Sequence, residues 1–263
     1  MTVTRGRAST FGAISIVNAI ASGNGATASV KLATEVEVEM ENVPGTWDVK
    51  INGKNAESKL ALESIRLALK SAGREPKDFS GRIETNSNIP VGVGLKTSSS
   101  ASTAAALAVL SALGQKAFDR QKVLSCSVEA SLASGASITG ALDDAAACLL
   151  GGVNLTDNLN RRIIKSKLFD KELVVVIKVP RMASKRSTTD PAFIRKFRDL
   201  TDLFFRMSLE GDYWRAMVLN GIAYSSILKY DPFPALRAVE LGALGAGLSG
   251  TGPSIAAVFE TSK

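Results

Sequence analysis

The chain of 263 residues carries a formal net charge of +7, two cysteines and no histidine. Two cysteines support neither a disulfide framework nor a thiolate metal cage, and the missing histidine excludes Ser-His triads, histidine zinc sites and histidine general bases. Acid–base or metal chemistry must therefore use carboxylates, lysine, hydroxyls or backbone, and the mild basic excess suits anionic small substrates as well as it suits nucleic acid.

Arg5 and Arg7 precede the largely apolar stretch Phe11–Ala21, a pattern superficially like a signal peptide. Asn18 interrupts it and the segment runs on into a strand-like region, so a cytoplasmic protein is expected. Cys126 and Cys148 fit small buried residues in a reducing compartment. The run Ala101–Leu113 is too short and too rich in alanine to span a bilayer, so no membrane partner is expected. From Ser29 to Glu41, Val36, Val38 and Met40 alternate with Glu35, Glu37, Glu39 and Glu41, which describes a half-buried antiparallel strand with a solvated acidic face. Asn52-Gly53 marks a turn. Leu62, Ile65, Leu69 and Ala72 line a helix that Gly73 closes, and Phe79–Glu84 is a strand leading to a loop at Pro90.

Ser99–Leu113 reads as a small-residue helix ending at Gly114, and Asp119 can cap another running through Val123 and Ala130 to Gly135. Ala141–Leu150 is a short Ala-rich helix, followed after Gly151-Gly152 by the strand-like Val153–Thr156. The polar stretch Asp157–Arg162 is the candidate boundary between an N-terminal domain, residues 1–157, and a C-terminal domain, residues 158–263. Beyond it come a buried strand at Leu173–Val179, a polar stretch at Pro180–Pro191, and helices over Ala192–Glu210 and Asp212–Tyr230. A third helix after Pro234, a Gly-rich turn and a final strand at Ser254–Phe259 complete the chain. Strands and helices mix without regular alternation, so the expected class is α+β.

The segment from Pro90 to Ala101 carries the chemistry. Gly92 and Gly94 permit positive φ and close backbone approach, and the run Lys96, Thr97, Ser98, Ser99, Ser100 then opens a small-residue helix. Free N–H groups at a helix N-terminus make an anion site, to which hydroxyls add donors or a metal ligand and Lys96 adds charge. A hydroxyl-rich cap on an ordinary helix needs far less than this. The pattern is not a Walker loop, which requires four residues between two glycines and then Lys-Ser/Thr directly; Leu95 breaks it. A second pattern, Gly245-x-Gly247-x-x-Gly250, matches a dinucleotide fingerprint in letters but follows a helix and precedes a strand, the wrong context.

Pro90-x-x-x-Gly94-Leu95 followed by Ser99-Ser100-Ala101 is similar to the phosphate-binding signature of the GHMP kinases, which phosphorylate galactose, homoserine, mevalonate and relatives. One extra residue separates Leu95 from the Ser-Ser-Ala. Ser15–Ala26 resembles the family's N-terminal substrate-side motif, Thr139–Ala145 with Gly151-Gly152 its catalytic aspartate segment, and Gly245–Pro253 its C-terminal glycine motif. Within the superfamily the combination most resembles the archaeal-type shikimate kinases. The resemblance implies two α+β domains, the first like the second domain of a small-subunit ribosomal protein and the second ferredoxin-like, with ATP and substrate meeting between them. It implies ATP-dependent phosphorylation of shikimate to shikimate 3-phosphate, with Mg²⁺ as cofactor, and a monomer or homodimer. A homoserine or mevalonate-type kinase is the enzymatic alternative. A non-catalytic RNA-binding protein is the alternative of another class, disfavoured by dispersed charge without a basic-aromatic pattern, so no nucleic-acid partner is expected.

Asp143 and Asp144 are adjacent, so on a helix they point about 100° apart and only one can face an acceptor. A mevalonate-kinase-like register puts Asp144 at the catalytic position and a homoserine-kinase-like register puts Asp143 beside it; Asp144 is the preferred base, with Asp143 and Lys96 as the other catalytic candidates. By resemblance, Glu129 and Ser100 or its neighbour are the Mg²⁺ ligands. Pro90, Gly92, Gly94, Leu95 and the residues through Ala101 are the expected phosphate-binding residues. Shikimate's carboxylate calls for an Arg fork, for which Arg181 and Arg186 are candidates, although a solvated basic loop explains them equally. Asn18, Gly250, Thr251 and Gly252 complete the expected substrate side. Trp47, Tyr213 and Trp214 are read as packing residues.

Overall fold

The computed structural model describes residues 3–115, 118–180 and 189–261. In chain order they form β1 (Thr4–Val17), β2 (Asn24–Glu41), β3 (Trp47–Ile51), β4 (Lys54–Asn55), α1 (Lys59–Ser71), β5 (Ser80–Ser87), α2 (Thr97–Ala112), α3 (Arg120–Ala133) and α4 (Leu142–Leu150). There follow β6 (Val153–Asp157), β7 (Arg162–Lys167), β8 (Leu173–Lys178), α5 (Pro191–Arg195), α6 (Arg198–Leu209), α7 (Tyr213–Ile227), α8 (Phe233–Glu240), β9 (Gly245–Leu248) and β10 (Ile255–Glu260). The mixture is α+β, as its irregular order of elements implies. The chain divides into two compact units, one drawn from Met1–Gly12, Lys31–Ile89 and Thr97–Ala141, the other from Ala13–Val30, Pro90–Lys96 and Leu142–Lys263.

In the first unit the C-terminal part of β2 pairs antiparallel with β5, β5 pairs parallel with β3, and β3 pairs with β4. The glutamates expected on a solvated face are there, but they are not left to water alone. Arg5 of β1 pairs with Glu39 at 2.8 Å and Arg7 with Glu35 and Glu37, so the arginines that mimic a signal-peptide start are cross-strand partners. Helix α1 buries Ala61, Ser64, Ile65, Ala68 and Leu69, the i, i+3, i+4 spacing of one face. Leu62, expected on that face, is 42% exposed, because the stripe is centred on Ala61 and Ile65. Helices α2 and α3 are built from alanine and serine so that neighbours can come close. A Cβ at Gly6 of β1 would lie 2.0 Å from the Ala108 carbonyl of α2. Between α2 and α3, Ser127 bonds Ser102 at 2.6 Å and Thr103 at 2.9 Å, satisfying hydroxyls that the packing buries.

In the second unit the N-terminal part of β2 pairs with β6, and β6 with β7. A separate antiparallel sheet has the order β8-β10-β9. Tyr224, Ile227, Leu228, Leu248 and Ile255 form its core with Ala21 and Ile194. The stretch read as a Gly-rich turn contains strand β9. Its glycines serve helix packing: a Cβ at Gly247 would sit 2.7 Å from the Met217 carbonyl of α7, and one at Gly221 would sit 2.4 Å from the Gly247 Cα. Strand β8 is not a buried strand but an edge strand, with Val174 45% and Val176 55% exposed. Strand β7, which begins at the last residue of the stretch read as a boundary, lies at a sheet edge and is exposed along most of its length, so no apolar alternation announces it. Among the described residues no helix is long and apolar enough to cross a membrane.

Candidate active site

The segment Pro90–Lys96 rests on the C-terminal glycine turn. Ser249 Oγ donates to the Gly94 carbonyl at 2.7 Å, and the Ser254 N–H donates to the Val93 carbonyl at 3.1 Å. Gly94, at φ 90°, comes so close that a Cβ there would lie 2.0 Å from the Ser249 carbonyl, whereas a Cβ at Gly92 would meet open space. Leu95 is buried and anchors the segment. The glycine turn is itself tied to the end of β1 and to Asn18 just beyond it. Ser15 N–H donates to Ser249 Oγ at 3.1 Å while Gly250 N–H donates to Ser15 Oγ at 3.0 Å. Asn18 Nδ2 donates to the Gly250 carbonyl at 2.8 Å, and Asn18 Oδ1 accepts from the Ile20 N–H at 3.0 Å. Asn18 is buried, with Nδ2 holding the glycine turn and Oδ1 fixing its own backbone at Ile20. Gly250 and Thr251 are half-buried, and Gly252 is buried against the Tyr230 ring.

Lys96 ends the segment in the left-handed region, at φ 65°. For a residue with a side chain this costs about 1–2 kcal/mol, so something must hold it. Its ammonium lies 3.0 Å from Asp144 Oδ1, with both side chains largely withdrawn from water. Asp144 and Asp143 stand in the first turn of α4, where the helix N-terminus favours negative charge. The two carboxylates are treated differently. Asp143 is 4% exposed and both its oxygens are engaged: Thr27 Oγ1 donates to Oδ2 at 2.8 Å and Asn158 Nδ2 to Oδ1 at 2.8 Å. Asp144 keeps 15% of its side-chain surface, and its contacts to Lys96 and to Thr27, the latter at 3.2 Å, both use Oδ1. Burial, reinforced by the Asp143 charge and opposed by Lys96 and Thr27, pushes the Asp144 carboxyl up to about 7. Cys148, one turn along α4, is a buried thiol that burial pushes well up, and it is inert as a nucleophile.

Helix α2 follows Lys96 directly, and the first turn of a helix presents N–H groups outside its own ladder. Thr97 is half-buried, Ser98 exposed, Ser99 and Ser100 buried, and Ala101 half-buried. Ser100 is bound to Thr10, whose hydroxyl lies 2.8 Å from the Ser100 carbonyl and 2.9 Å from Ser100 Oγ. Glu129 is half-buried on α3, two residues beyond the Ser127 that touches α2. Among the described residues no three His, Cys, Asp or Glu side chains gather as a metal cluster. Hydroxyls and single carboxylates are nonetheless the hard donors that suit Mg²⁺, which keeps waters and takes phosphate oxygens. The Ser100 hydroxyl, one of the expected ligands, is engaged by Thr10. Arg181 and Arg186 lie outside the described residues.

The structure thus brings together Lys96, Asp144, Asp143, Gly94 and Gly250, residues singled out from the sequence. Thr27, Asn158, Ser15 and Ser249 join them without having been expected as site residues. Ser15 and Ser249 sit inside motifs that the sequence displays, but Asn158 belongs to a stretch that reads as an ordinary turn, and nothing in the sequence ties it to Asp143. Trp214 stacks on Phe169 with ring centroids 5.6 Å apart, a packing contact.

Residues 59–152 match the GHMP kinases N terminal domain, a span that contains the Pro90 segment and both aspartates. The shikimate kinase of Methanothrix thermoacetophila is 37% identical over 256 residues, covering 97% of this chain and 86% of that protein. That of Methanothermobacter thermautotrophicus is 37% identical, over 94% of this chain and 84% of its own. That of Pyrococcus furiosus is 35% identical, over 97% and 92%. Among solved structures, the mevalonate kinase of Methanococcus jannaschii superposes with a TM-score of 0.70 at 14% identity, covering 99% of this chain and 90% of that one. The homoserine kinase of Cytophaga hutchinsonii gives 0.66 at 18% identity, over 97% and 85%. At such identities the solved structures establish the fold, while the near full-length similarity to the archaeal enzymes establishes kinship. The chain belongs to the GHMP kinase family.

Proposed function

We propose that the chain transfers the γ-phosphoryl group of ATP to a hydroxyl of shikimate, yielding ADP and shikimate 3-phosphate. The observation that carries this reading is the buried Asp144 carboxylate, raised to about 7 and held by the lysine that leads into the phosphate-binding helix. Near-full-length similarity to archaeal shikimate kinases supplies the acceptor. Phosphoryl transfer asks the protein mainly for positioning and charge neutralisation.

The N–H groups and hydroxyls of Thr97, Ser98 and Ser99 receive the phosphates, and Lys96 offsets their charge. The acceptor oxygen forms a bond to the γ-phosphorus as the bond from that phosphorus to the ADP oxygen breaks. The proton of the hydroxyl passes to Asp144, whose Oδ2 is not the oxygen that faces Lys96. An aspartate at about 7 is matched to that task at neutral pH, and one at the ordinary value would be a weak base. Asp143, with both oxygens engaged, serves as support rather than as base. Mg²⁺ bound with the phosphates would supply charge neutralisation there. Glu129 and Ser99, or Ser100 if it releases Thr10, would be its protein ligands. Gly250, Thr251 and Gly252 border the acceptor, and Arg181 or Arg186 takes its carboxylate. ATP chemistry and two buried free cysteines suit the cytoplasm.

The test is an ADP-release assay coupled across shikimate, homoserine and mevalonate. Turnover with shikimate is expected; turnover confined to mevalonate or homoserine overturns the acceptor, and salt-sensitive RNA binding without kinase activity overturns the class.

A further inference from the structure

Asn158 is a buried residue that holds Asp143 and that no catalytic step uses. It follows β6, and its N–H donates to the Gly23 carbonyl at 2.9 Å, which fixes its backbone. Its side chain is 4% exposed. Oδ1 accepts from Thr156 Oγ1 at 2.6 Å and from the Asp143 N–H at 3.2 Å, so Nδ2 is turned toward Asp143 Oδ1, which it meets at 2.8 Å. The reverse orientation would set an amide NH₂ against a backbone N–H and a carbonyl against a carboxylate, so the amide has only one workable direction. On the other side, the single Thr27 hydroxyl proton is shared between Asp143 Oδ2 at 2.8 Å and Asp144 Oδ1 at 3.2 Å. Gly25 closes the third side: a Cβ there would lie 2.6 Å from Asp143 Oδ2. Asp143 is thus gripped from three directions on a helix whose next residue is Asp144.

We propose that Asn158 is a positioning residue for phosphoryl transfer: with Thr27 it clamps the buried Asp143 carboxylate immediately behind Asp144, so that a fixed negative charge sets the aim and the basicity of Asp144. The charged and titratable groups that bear on Asp144 are Lys96 from the preceding segment, Asp143 on its own helix and, one turn along, Cys148; Thr27 of β2 adds the hydroxyl. Of these, Asp143 is the one that raises Asp144 by charge, and Asn158 is what keeps it in place. The inference rests on Asp144 being the base for the shikimate hydroxyl.

The test is the pH profile of kcat/KM for shikimate. In the native chain its acid limb is expected at about 7, where burial and Asp143 place the Asp144 carboxyl. In Asn158→Leu, which keeps the branching of the side chain but has neither donor nor acceptor, Asp143 is no longer fixed beside Asp144, and the limb should move down by about one pH unit while KM for ATP changes by less than about twofold. Asp143→Asn should move the limb the same way, and adding Asn158→Leu to it should move the limb no further. Asn158→Ser, too short to bridge, carries the same prediction should the leucine variant fail to fold. A native enzyme without shikimate turnover sinks the proposed function itself. An active enzyme whose limb stays in place in the Asn158 variants or in Asp143→Asn overturns the positioning role, and so does loss of cooperative melting in both Asn158 variants, which assigns the residue to stability alone.

Discussion

Replacing Asp144 with asparagine preserves the shape of the side chain and removes its charge. The carboxyl rises from an ordinary 3.8 to about 7 in the folded chain. A folded-state value above the unfolded one means that the folded chain holds the extra proton between those limits. The associated stability is therefore fully present below about 4 and is lost as pH rises through about 7. Between pH 5 and pH 8 this loss amounts to about 2.5 kcal/mol at 1.36 kcal/mol per pH unit, an order-of-magnitude figure. Asparagine does not titrate, so the stability of the native chain relative to Asp144→Asn should fall by that amount over the same range. At roughly 2–4 °C per kcal/mol for a chain of this size, the difference in Tm should shift by roughly 5–10 °C between thermal melts at pH 5 and pH 8. Comparing the two proteins at each pH cancels the titration of the shared groups that do not interact with Asp144. In parallel, kcat should drop by about 10²–10⁴, the usual worth of a positioned base, while ATP still raises the Tm of the variant. A Tm difference that is flat with pH would refute the assignment of a raised carboxyl, and a variant with near-native kcat would refute its role as base.

Lys96→Met should leave Asp144 buried without its cation, and the carboxyl should take up a proton, moving the acid limb of the kcat/KM pH profile above about 7. Gly94→Ala and Gly92→Ala separate space from conformation, since both glycines have positive φ but only Gly94 faces backbone within 2.0 Å. The Gly92 variant should lose about 1–2 kcal/mol, and the Gly94 variant more than twice that together with most ATP affinity, read by calorimetry and ligand-dependent melting. Ser249→Ala removes the donor to the Gly94 carbonyl and the acceptor of the Ser15 N–H, and should cost about 1–3 kcal/mol in melting with a larger rise in KM for ATP than in KM for shikimate.

Much of this arrangement can be read in the chain before folding, where local chemistry dictates it. Positive-φ glycines, the hydroxyl-rich helix start and the Asp119 cap all act within a few residues of themselves, and α2 and α3 begin close to where those signals place them. What resists reading is of two kinds. Strands β3, β4 and β7 are short or exposed, so they bury too little to impose a period of two. Strand β9 is hidden for the opposite reason, because glycine there marks a helix lying on the sheet instead of a bend in the chain. In the site, the pairing of Lys96 with Asp144 joins two segments that each carry a legible motif. Sequence registers alone leave a choice between the two aspartates, and the fold gives each a different set of partners. The clamp by Thr27 and Asn158 spans 116 and 15 residues of sequence from Asp143, with unremarkable residue types at both ends, and carries no local mark.

The contact between Gly94 and Ser249 bridges 155 residues, and that between Ser15 and Gly250 bridges 235. A nascent chain can therefore display the whole Pro90–Ala101 segment and still lack the backing that sets its shape. That backing leaves the ribosome long after the signature itself. A product truncated before Ser249 should thus be inert toward nucleotide, not a weakened enzyme, and competence for ATP becomes a report that synthesis has passed the glycine turn.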